Sequence, residues 1–385
     1  MTVRRKPQQN QKICNHQHRT SIAGGVANLT NKEGRDMTQA TAELKKEQNK
    51  YNIAAFSTAD SLLLPDLFRK IYGEHYLAGE VYDPAHYIQA NETGDAISIV
   101  ARGPDGLPVG HVALVASAPY RGVREVGQGV VDPACRGGGI LNGMIDEAIV
   151  QADRDPQVCG LYGASLTNHT FSQRSVWRAE FVDVGFEIGF VPARMMQIEA
   201  EAKGPVATCL QYLPLGDAPM QRTFLPGAYR DLLVHLYDHL RLRRQFAQGG
   251  EALDHAAPSR IEVLDLPRFD IVRVNVMRIG ADLPALLRTI DREAQANGRT
   301  MVQVFLELGS PAADAACEAL RKQGFWFGGL LPRWMDRDAL LLQKAVGGDP
   351  WFGGIQAFTN DAKALLRFIQ ADADRQGALA ALGVA

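Results

Sequence analysis

The chain has 385 residues, 46% of them hydrophobic and 22% charged, with a formal net charge of -2. That length suits two domains better than one, and the near-neutral charge gives no electrostatic case for nucleic acid or an anionic membrane as partner. No apolar run reaches the about 18–20 residues of a membrane span, and the five scattered cysteines form neither a disulfide framework nor a CxxC metal pattern, so a reducing cytoplasm is the expected compartment.

Residues 1–50 are polar and without period, and read as a poorly ordered extension. Arg4-Arg5 is not followed by the apolar stretch of an export signal, and Met37 is an alternative start. Residues 97–102 and 109–117 read as strands joined by the turn Gly103-Pro104-Asp105-Gly106-Leu107-Pro108. Residues 126–131 read as the next strand. Gly127 and Gly129 inside it mark a bulge or a close approach of a ligand. Asp132-Pro133 ends the ladder, because proline has no N–H to donate.

Arg136-Gly137-Gly138-Gly139 then opens a helix with Ile140, Leu141, Met144, Ile145, Ala148, Ile149 and Ala152 on one apolar face. A glycine-rich turn at a helix start aims unpaired amides at an anion, for which phosphate is the usual choice. A P-loop would need Lys and then Ser or Thr where Ile140-Leu141 stand, and a dinucleotide fingerprint would need glycine at Asn142. Residues 159–165 read as a strand parallel to the previous one, since a helix joins them. A helix over 171–184, closed by Gly185-Phe186, leads to two last strands at 186–191 and 194–199.

The R-x-x-G-x turn from Arg136 to Ile140, in this order of elements, resembles the pyrophosphate loop of the GNAT superfamily, the Gcn5-related N-acetyltransferases. The resemblance covers residues 50–200. Tyr82-Asp83-Pro84, Gly110-His111-Val112-Ala113-Leu114, Gly127-Gln128-Gly129-Val130-Val131-Asp132-Pro133 and Thr167-Asn168-His169 are also similar to a bacterial GNAT subgroup, some of whose members carry histidine-kinase-like ATPase domains. It implies a mixed-sheet α/β fold of GNAT type and acetyl-CoA or another acyl-CoA as cosubstrate. Arg136 and the amides of Gly137, Gly138, Gly139, Ile140 and Leu141 would then hold the diphosphate, with Leu141 standing where the family usually has Gly or Ala. The main chain at Val130 and Val131 would pair with the pantetheine arm, and Asn168 would contact the coenzyme. Glu125 would take the proton of the attacking amine. The helix that carries a tyrosine acid in many relatives has Trp177 and Phe181 here, which leaves Tyr162 on the preceding strand as the substitute. A solvated strand-end carboxylate for Glu125, core packing for Tyr162 and helix capping for Asn168 or Ser172 are the plainer alternatives.

Residues 204–219 read as a loose boundary, and 229–246 as a helix whose basic end, Arg241, Arg243 and Arg244, is solvated. Strands at 260–264 and 271–279, a helix at 283–296, a strand at 301–308, a helix at 311–323 and a strand pair at 325–332 and 339–345 follow. Gly324-Phe325 stands in the place of Gly185-Phe186, and Asp282 would cap the helix and repel a diphosphate. The domains expected are therefore 51–203, GNAT-like and acyl-CoA-binding, and 212–346, a degenerate GNAT-like copy, followed by a helix-bearing segment over 347–385. Cys135 offers an acyl-cysteine route without a visible His and acid. His111 reads as a core or cleft-lining residue, and His235 with His239 as a solvated helix face.

Together these readings predict an acyl-CoA-dependent N-acyltransferase, acetyl first among its acyl groups, acting on a small-molecule or peptide amine without a metal. A non-catalytic acyl-CoA-binding sensor or interaction module is the alternative. The oligomeric state stays open, a homodimer included.

Overall fold

The structure, a computed structural model, describes residues 50–76, 78–196, 203–217, 219–250, 252–253 and 257–381. The N-terminal extension read over residues 1–50 lies outside them, residue 50 apart. In chain order the first half runs β1 (Asn52–Ala55), α1 (Leu64–Tyr72), α2 (Pro84–Thr93), β2 (Ala96–Arg102), β3 (Pro108–Val115), β4 (Val123–Val131), α3 (Ile140–Arg154), β5 (Gly160–Leu166), α4 (Phe171–Arg178), β6 (Val182–Val191) and β7 (Val206–Pro214). The second half runs β8 (Gln221–Leu225), α5 (Arg230–His239), β9 (Arg244–Gln248), β10 (Arg260–Leu266), β11 (Ile271–Arg278), α6 (Leu283–Ala296), β12 (Met301–Glu307), α7 (Ala313–Arg321), β13 (Trp326–Leu331), β14 (Ala339–Ala345) and α8 (Asn360–Ala381).

Twelve strands form one mixed sheet in the order β1-β2-β3-β4-β5-β7-β6-β13-β14-β12-β11-β10. The expected mixed-sheet α/β architecture is present. Read from opposite ends toward the middle, the two halves repeat: β3-β4-β5-β7-β6 and β10-β11-β12-β14-β13 have the same succession of antiparallel, parallel, antiparallel and antiparallel neighbours. A helix joins each parallel pair, α3 in the first half and α6 in the second. The halves meet where Gly185 of β6 lies opposite Gly329 of β13. A Cβ on Gly185 would stand 2.3 Å from the Gly328 carbonyl oxygen, so this crossing admits only glycine. Both strands are bulged just before these glycines, between Asp183 and Gly185 and between Phe327 and Gly329.

Apolar spacing explains how the helices dock. Ile140, Met144, Ile145 and Ala148 of α3 are buried against Ile99, Val112, Leu114 and Leu161 of the sheet. Full burial of the isoleucine and methionine side chains stabilises by about 1.5–3 kcal/mol each. Leu283, Leu287, Ile290 and Ala294 do the same for α6.

Four readings need correction. First, the strand that pairs with β6 is β7, within the stretch read as a loose boundary; Ala193–Met195 is a 3-10 turn, and residues 197–199 of the strand expected there lie outside the described residues. Thr208 and Gln211 hide β7 because they look polar, yet they are buried and bonded to Glu187 and Ser165. Second, α4 ends at Arg178, not at residue 184. Glu180, at φ 68, and Phe181 close it, with Phe181 N–H donating to Val176 C=O at 3.2 Å. The counterpart is Gly324, at φ 89, with Phe325 N–H on Leu320 C=O at 3.2 Å, so Gly324-Phe325 matches Glu180-Phe181 rather than Gly185-Phe186. Third, the helix read to residue 246 stops at His239, and Arg244 begins β9 with its side chain buried, not solvated. Its guanidinium donates from Nε and Nη2 to the Asp338 carboxylate at 2.6 and 3.1 Å, an ion pair whose bidentate geometry offsets its desolvation. Fourth, Asp282 sits at the N-cap of α6, where its carbonyl accepts from Ala285 and Leu286 N–H at 3.0 Å but its side chain does not cap the helix. Its carboxylate accepts instead from Ser259 N–H and Oγ–H at 2.8 and 2.7 Å.

Candidate functional site

The first half of the sheet opens between β4 and β5. β4 and β5 pair only through Val123↔Gly160, Arg124↔Leu161 and Glu125↔Tyr162, and beyond Glu125 the two parallel strands separate. The matching pair of the second half, β11 and β12, stays joined from Ile271↔Met301 to Val276↔Leu306 and leaves no gap. Backbone amides and carbonyls along an unpaired strand edge are obligatory hydrogen-bonding groups, so the gap in the first half is a place for an extended ligand.

A bulge shapes the β4 edge of that gap. Gln128 and Gly129 together face the single residue Val112 of β3, and Gln128 has φ 52. The buried His111 holds the bulge, its Nδ1 lying 3.1 Å from the Gln128 carbonyl with the ring packed between Phe68 and Tyr87. Burial lowers the His111 pKa to about 4, so the ring is neutral and Nδ1–H is the donor. The glycines read as a bulge signal therefore mark one: Gly129 forms it with Gln128, and Gly127 directly precedes it.

At the end of β4 the chain turns through Pro133–Cys135 and the glycines into α3. Gly137 and Gly139 have φ 89 and 71, a conformation that side chains with a Cβ resist. The helical ladder begins with Gly143 N–H on Gly139 C=O at 3.0 Å, so the amides of Ile140, Leu141 and Asn142 have no acceptor inside the helix. Arg136 is exposed, with Nε 3.3 Å from the Val131 carbonyl, which ties its base to the turn. The Asp132 carboxylate, which would oppose an anion here, is paired with Lys70 Nζ at 2.6 Å, and that bond lowers its pKa. Leu141 packs over the bulge, its Cδ1 3.6 Å from where a Cβ on Gly129 would sit.

A cleft of about 720 Å³ runs along this gap, lined by Val126 to Gly129, Leu141 and Glu125 on one side. Val130 and Val131 adjoin it and pair with His111 and Gly110 of β3. Asn168 lies in the turn after β5, where its carbonyl accepts from Gln356 Nε2 at 2.8 Å, so the segment before α8 holds this turn. His169 and Ser172, next to it, line the cleft.

The structure brings Glu125 and Tyr162 together. Tyr162 OH donates to Glu125 Oε2 at 3.0 Å, and Ser117 Oγ donates to the same oxygen at 2.8 Å while lying 2.5 Å from the phenol. Burial, and then the Glu125 carboxylate, push the Tyr162 pKa well above its ordinary value, so its proton stays on oxygen at neutral pH.

The residues facing this pair come from the second half and were not singled out in the sequence. Arg273, Phe305 and Trp334 close a cavity of about 50 Å³ with Glu125, Tyr162 and Glu187. Trp334 meets Tyr162 edge-on at 5.4 Å and donates from Nε1 to Asn275 Oδ1 at 3.0 Å. Arg273 Nη2 is 2.6 Å from Glu187 Oε1. Burial raises the Glu187 pKa, and Arg273 opposes that rise. The turn between β10 and β11 roofs the cleft: Phe269 stacks on Phe190 at 4.9 Å, and Arg268 Nη2 donates to the Tyr76 carbonyl at 2.5 Å.

His235 and His239 meet edge-to-face at 4.1 Å on the exposed face of α5, and among the described residues no group of three or more His, Cys, Asp and Glu could hold a metal. Cys135, Cys159, Cys209 and Cys317 are free thiols. No described helix is long and apolar enough to cross a membrane.

No family model matches the sequence, and no curated protein does. Among solved structures the chain is similar to an acetyltransferase of the GNAT family from Streptococcus pneumoniae, at 14% identity over 43% of this chain and 99% of that one, with a TM-score of 0.37. It is similar to the ribosomal-protein-S5-alanine acetyltransferase of Vibrio fischeri at 14% identity, over 44% of this chain and 96% of that one, with a TM-score of 0.36. A GNAT superfamily phosphinothricin acetyltransferase from Sinorhizobium meliloti, solved with AcCoA, matches at 16% identity over 43% of this chain and 89% of that one, with a TM-score of 0.36. The solved structures to which this chain is similar are thus acetyltransferases, members of the GNAT superfamily among them, over 43–44% of its length.

Proposed function

We propose that this protein is an acyl-CoA-dependent N-acyltransferase of GNAT type that transfers an acetyl or other short acyl group to an amine. The observation that carries this reading is the parting of β4 and β5 directly after Glu125↔Tyr162, with the glycine turn at the far end of the same strand. The residues fit such a cosubstrate. Glycines at positive φ and the first-turn amides of α3 make a cradle for a diphosphate. The β4 edge up to Val130 and Val131 offers main-chain partners to an extended arm. Arg136, Gly137, Gly138, Gly139, Ile140 and Leu141 are assigned to the diphosphate, and Asn168 to the coenzyme through its turn.

A bound acyl-CoA supplies an electrophilic thioester carbonyl and a thiolate leaving group. Glu125 takes the proton that the amine loses as its nitrogen attacks. Its two hydrogen bonds from Ser117 and Tyr162 both reach Oε2, which fixes the carboxylate and leaves Oε1 for the amine. Tyr162 gives its phenolic proton to the thiolate and recovers one from Glu125. Once Glu125 is protonated, the negative charge that held the phenol proton is gone, and the phenol is a better acid.

In the same reading, residues 51–203 with β7 bind the cosubstrate, and residues 212–346 are a degenerate copy that walls the acceptor site. The continuous β11–β12 ladder supports the second assignment, since it leaves no channel for a pantetheine arm. The cytoplasm remains the proposed compartment. The test is acyl transfer from acetyl-CoA to a panel of amines, followed by free-thiol release. Amine-dependent thiol release supports the proposal; acetyl-CoA binding without turnover on any amine would leave a sensor.

A further inference from the structure

Strand register relates the catalytic corner of the first half to a specific place in the second. Glu125 pairs across to Tyr162, Tyr162 to Tyr212, and Tyr212 to Val182 at the start of β6. Arg273 pairs across to Gln303, Gln303 to Gln343, and Gln343 to Trp326 at the start of β13. Arg273 is therefore the second-half counterpart of Glu125, and Gln303 that of Tyr162. Because β6 and β13 meet at Gly185 and Gly329, the two counterparts face one cavity, which both line.

What each presents to that cavity differs in sign. Glu125 Oε2 is occupied by Ser117 and Tyr162, while Oε1 has no hydrogen-bond partner among the described residues. Arg273 donates from Nε to Gln303 Oε1 at 3.0 Å and from Nη2 to Glu187 Oε1 at 2.6 Å, and Nη1 has no partner among the described residues. Glu187 has both oxygens engaged, the second by Thr208 Oγ at 2.9 Å. The Arg273–Glu187 pair therefore offers the cavity donors and no open acceptor. Phe305 and Phe190, at 5.1 and 5.7 Å from the guanidinium carbon, hold its plane. An arginine that served only to neutralise a buried carboxylate would not need an uncommitted donor edge, and a well-packed apolar pair would be as stable.

We propose that the acceptor is an amine that also carries a carboxylate, with its nitrogen at Glu125 Oε1 and its carboxylate at Arg273 Nη1. This rests on the acyl-transfer reading above. A charge-assisted bond from a guanidinium is strong in such a partly closed site. Arg273 is thus a specificity residue supplied by the half that has lost its coenzyme channel.

The test compares matched pairs on the full chain saturated with coenzyme A: glycine with methylamine, β-alanine with ethylamine, and γ-aminobutyrate with propylamine. Binding is read by calorimetry, and acetylation in parallel with acetyl-CoA. At least one amino acid is expected to bind more than ten-fold tighter than its decarboxylated partner, a gap of about 1.4 kcal/mol. The double variant Glu187→Gln with Arg273→Gln, which removes both charges and keeps the shapes, is expected to abolish that preference. Equal binding within every pair, or preference for the plain amine, overturns the proposal, and so does a preference that survives in the double variant. The wild-type comparison decides alone if the variant does not fold. Preferential binding with no acetylation of any amine would sustain the role of Arg273 and defeat the acyl-transfer reading.

Discussion

Glu125 and Arg273 hold the same register position in the two halves of one sheet, and they line the same cavity. The relationship follows from the meeting of β6 and β13 at the centre of the sheet. The repeated strand pattern has one open parallel pair and one closed one. On the proposed function, the open pair makes room for an extended cosubstrate, and the closed pair contributes side chains to its far end.

Glu125→Gln keeps the shape of the side chain and removes its basicity. Turnover on the best amine is expected to fall by about 10²- to 10⁴-fold, the range that general base catalysis contributes. Affinity for acetyl-CoA is expected to stay unchanged, since the glycine turn is at the other end of β4. Steady-state kinetics with calorimetry checks both. Unaltered turnover would remove Glu125 from the reaction.

Gly185→Ala places a methyl group 2.3 Å from the Gly328 carbonyl oxygen, and both neighbours are backbone that cannot rotate away. Overpacking of this kind costs about 1–3 kcal/mol. The urea midpoint is expected to fall by the matching amount. Gly216→Ala is the control, because nothing lies within 4 Å of its Cβ position, although its φ of 62 adds backbone strain. A smaller loss at Gly185 than at Gly216 would contradict the close approach of the two halves.

The pH dependence of stability has a contribution from His111. Burial lowers its folded pKa to about 4 from an ordinary 6.5. The unfolded chain takes up a proton on this ring below about pH 6.5 that the folded chain refuses until about pH 4, so stability present above 6.5 is lost as pH falls through that window. The loss is on the order of 3 kcal/mol. His111→Phe, which keeps a ring between Phe68 and Tyr87, is expected to flatten this acid limb. Urea midpoints from pH 7 to pH 4 measure it, and parallel curves for the two proteins would refute the contribution.

Much of the fold is legible in the sequence because it is local. The α3 face repeats at helical spacing, α6 spans the expected Leu283–Ala296, and β14 the expected Ala339–Ala345. The glycine turn is legible for the same reason, since Gly137, Gly138 and Gly139 are adjacent. What escapes the sequence is decided across the sheet. β7 looks like a linker until Glu187 and Ser165 satisfy Thr208 and Gln211. Arg244 looks like a solvated helix end until Asp338, far along the chain, buries it. Arg273 and Trp334 carry no motif at all, and only the register that makes Arg273 the counterpart of Glu125 brings them into the site. Gly324-Phe325 is the sequence signal that leads there, through its match with Glu180-Phe181.

On the proposed function, the turn from Arg136 to Leu141 holds the diphosphate of an acyl-CoA. Calorimetric titration with acetyl-CoA tests it most directly, on the wild type and on Arg136→Ala combined with Gly139→Val. A valine at φ 71 strains the backbone by about 1–3 kcal/mol and pulls the first amides of α3 out of line. Saturable binding by the wild type, weakened at least ten-fold in a double variant that still melts cooperatively, is the predicted result; equal affinity of the two proteins, or no binding by the folded wild type, would contradict it.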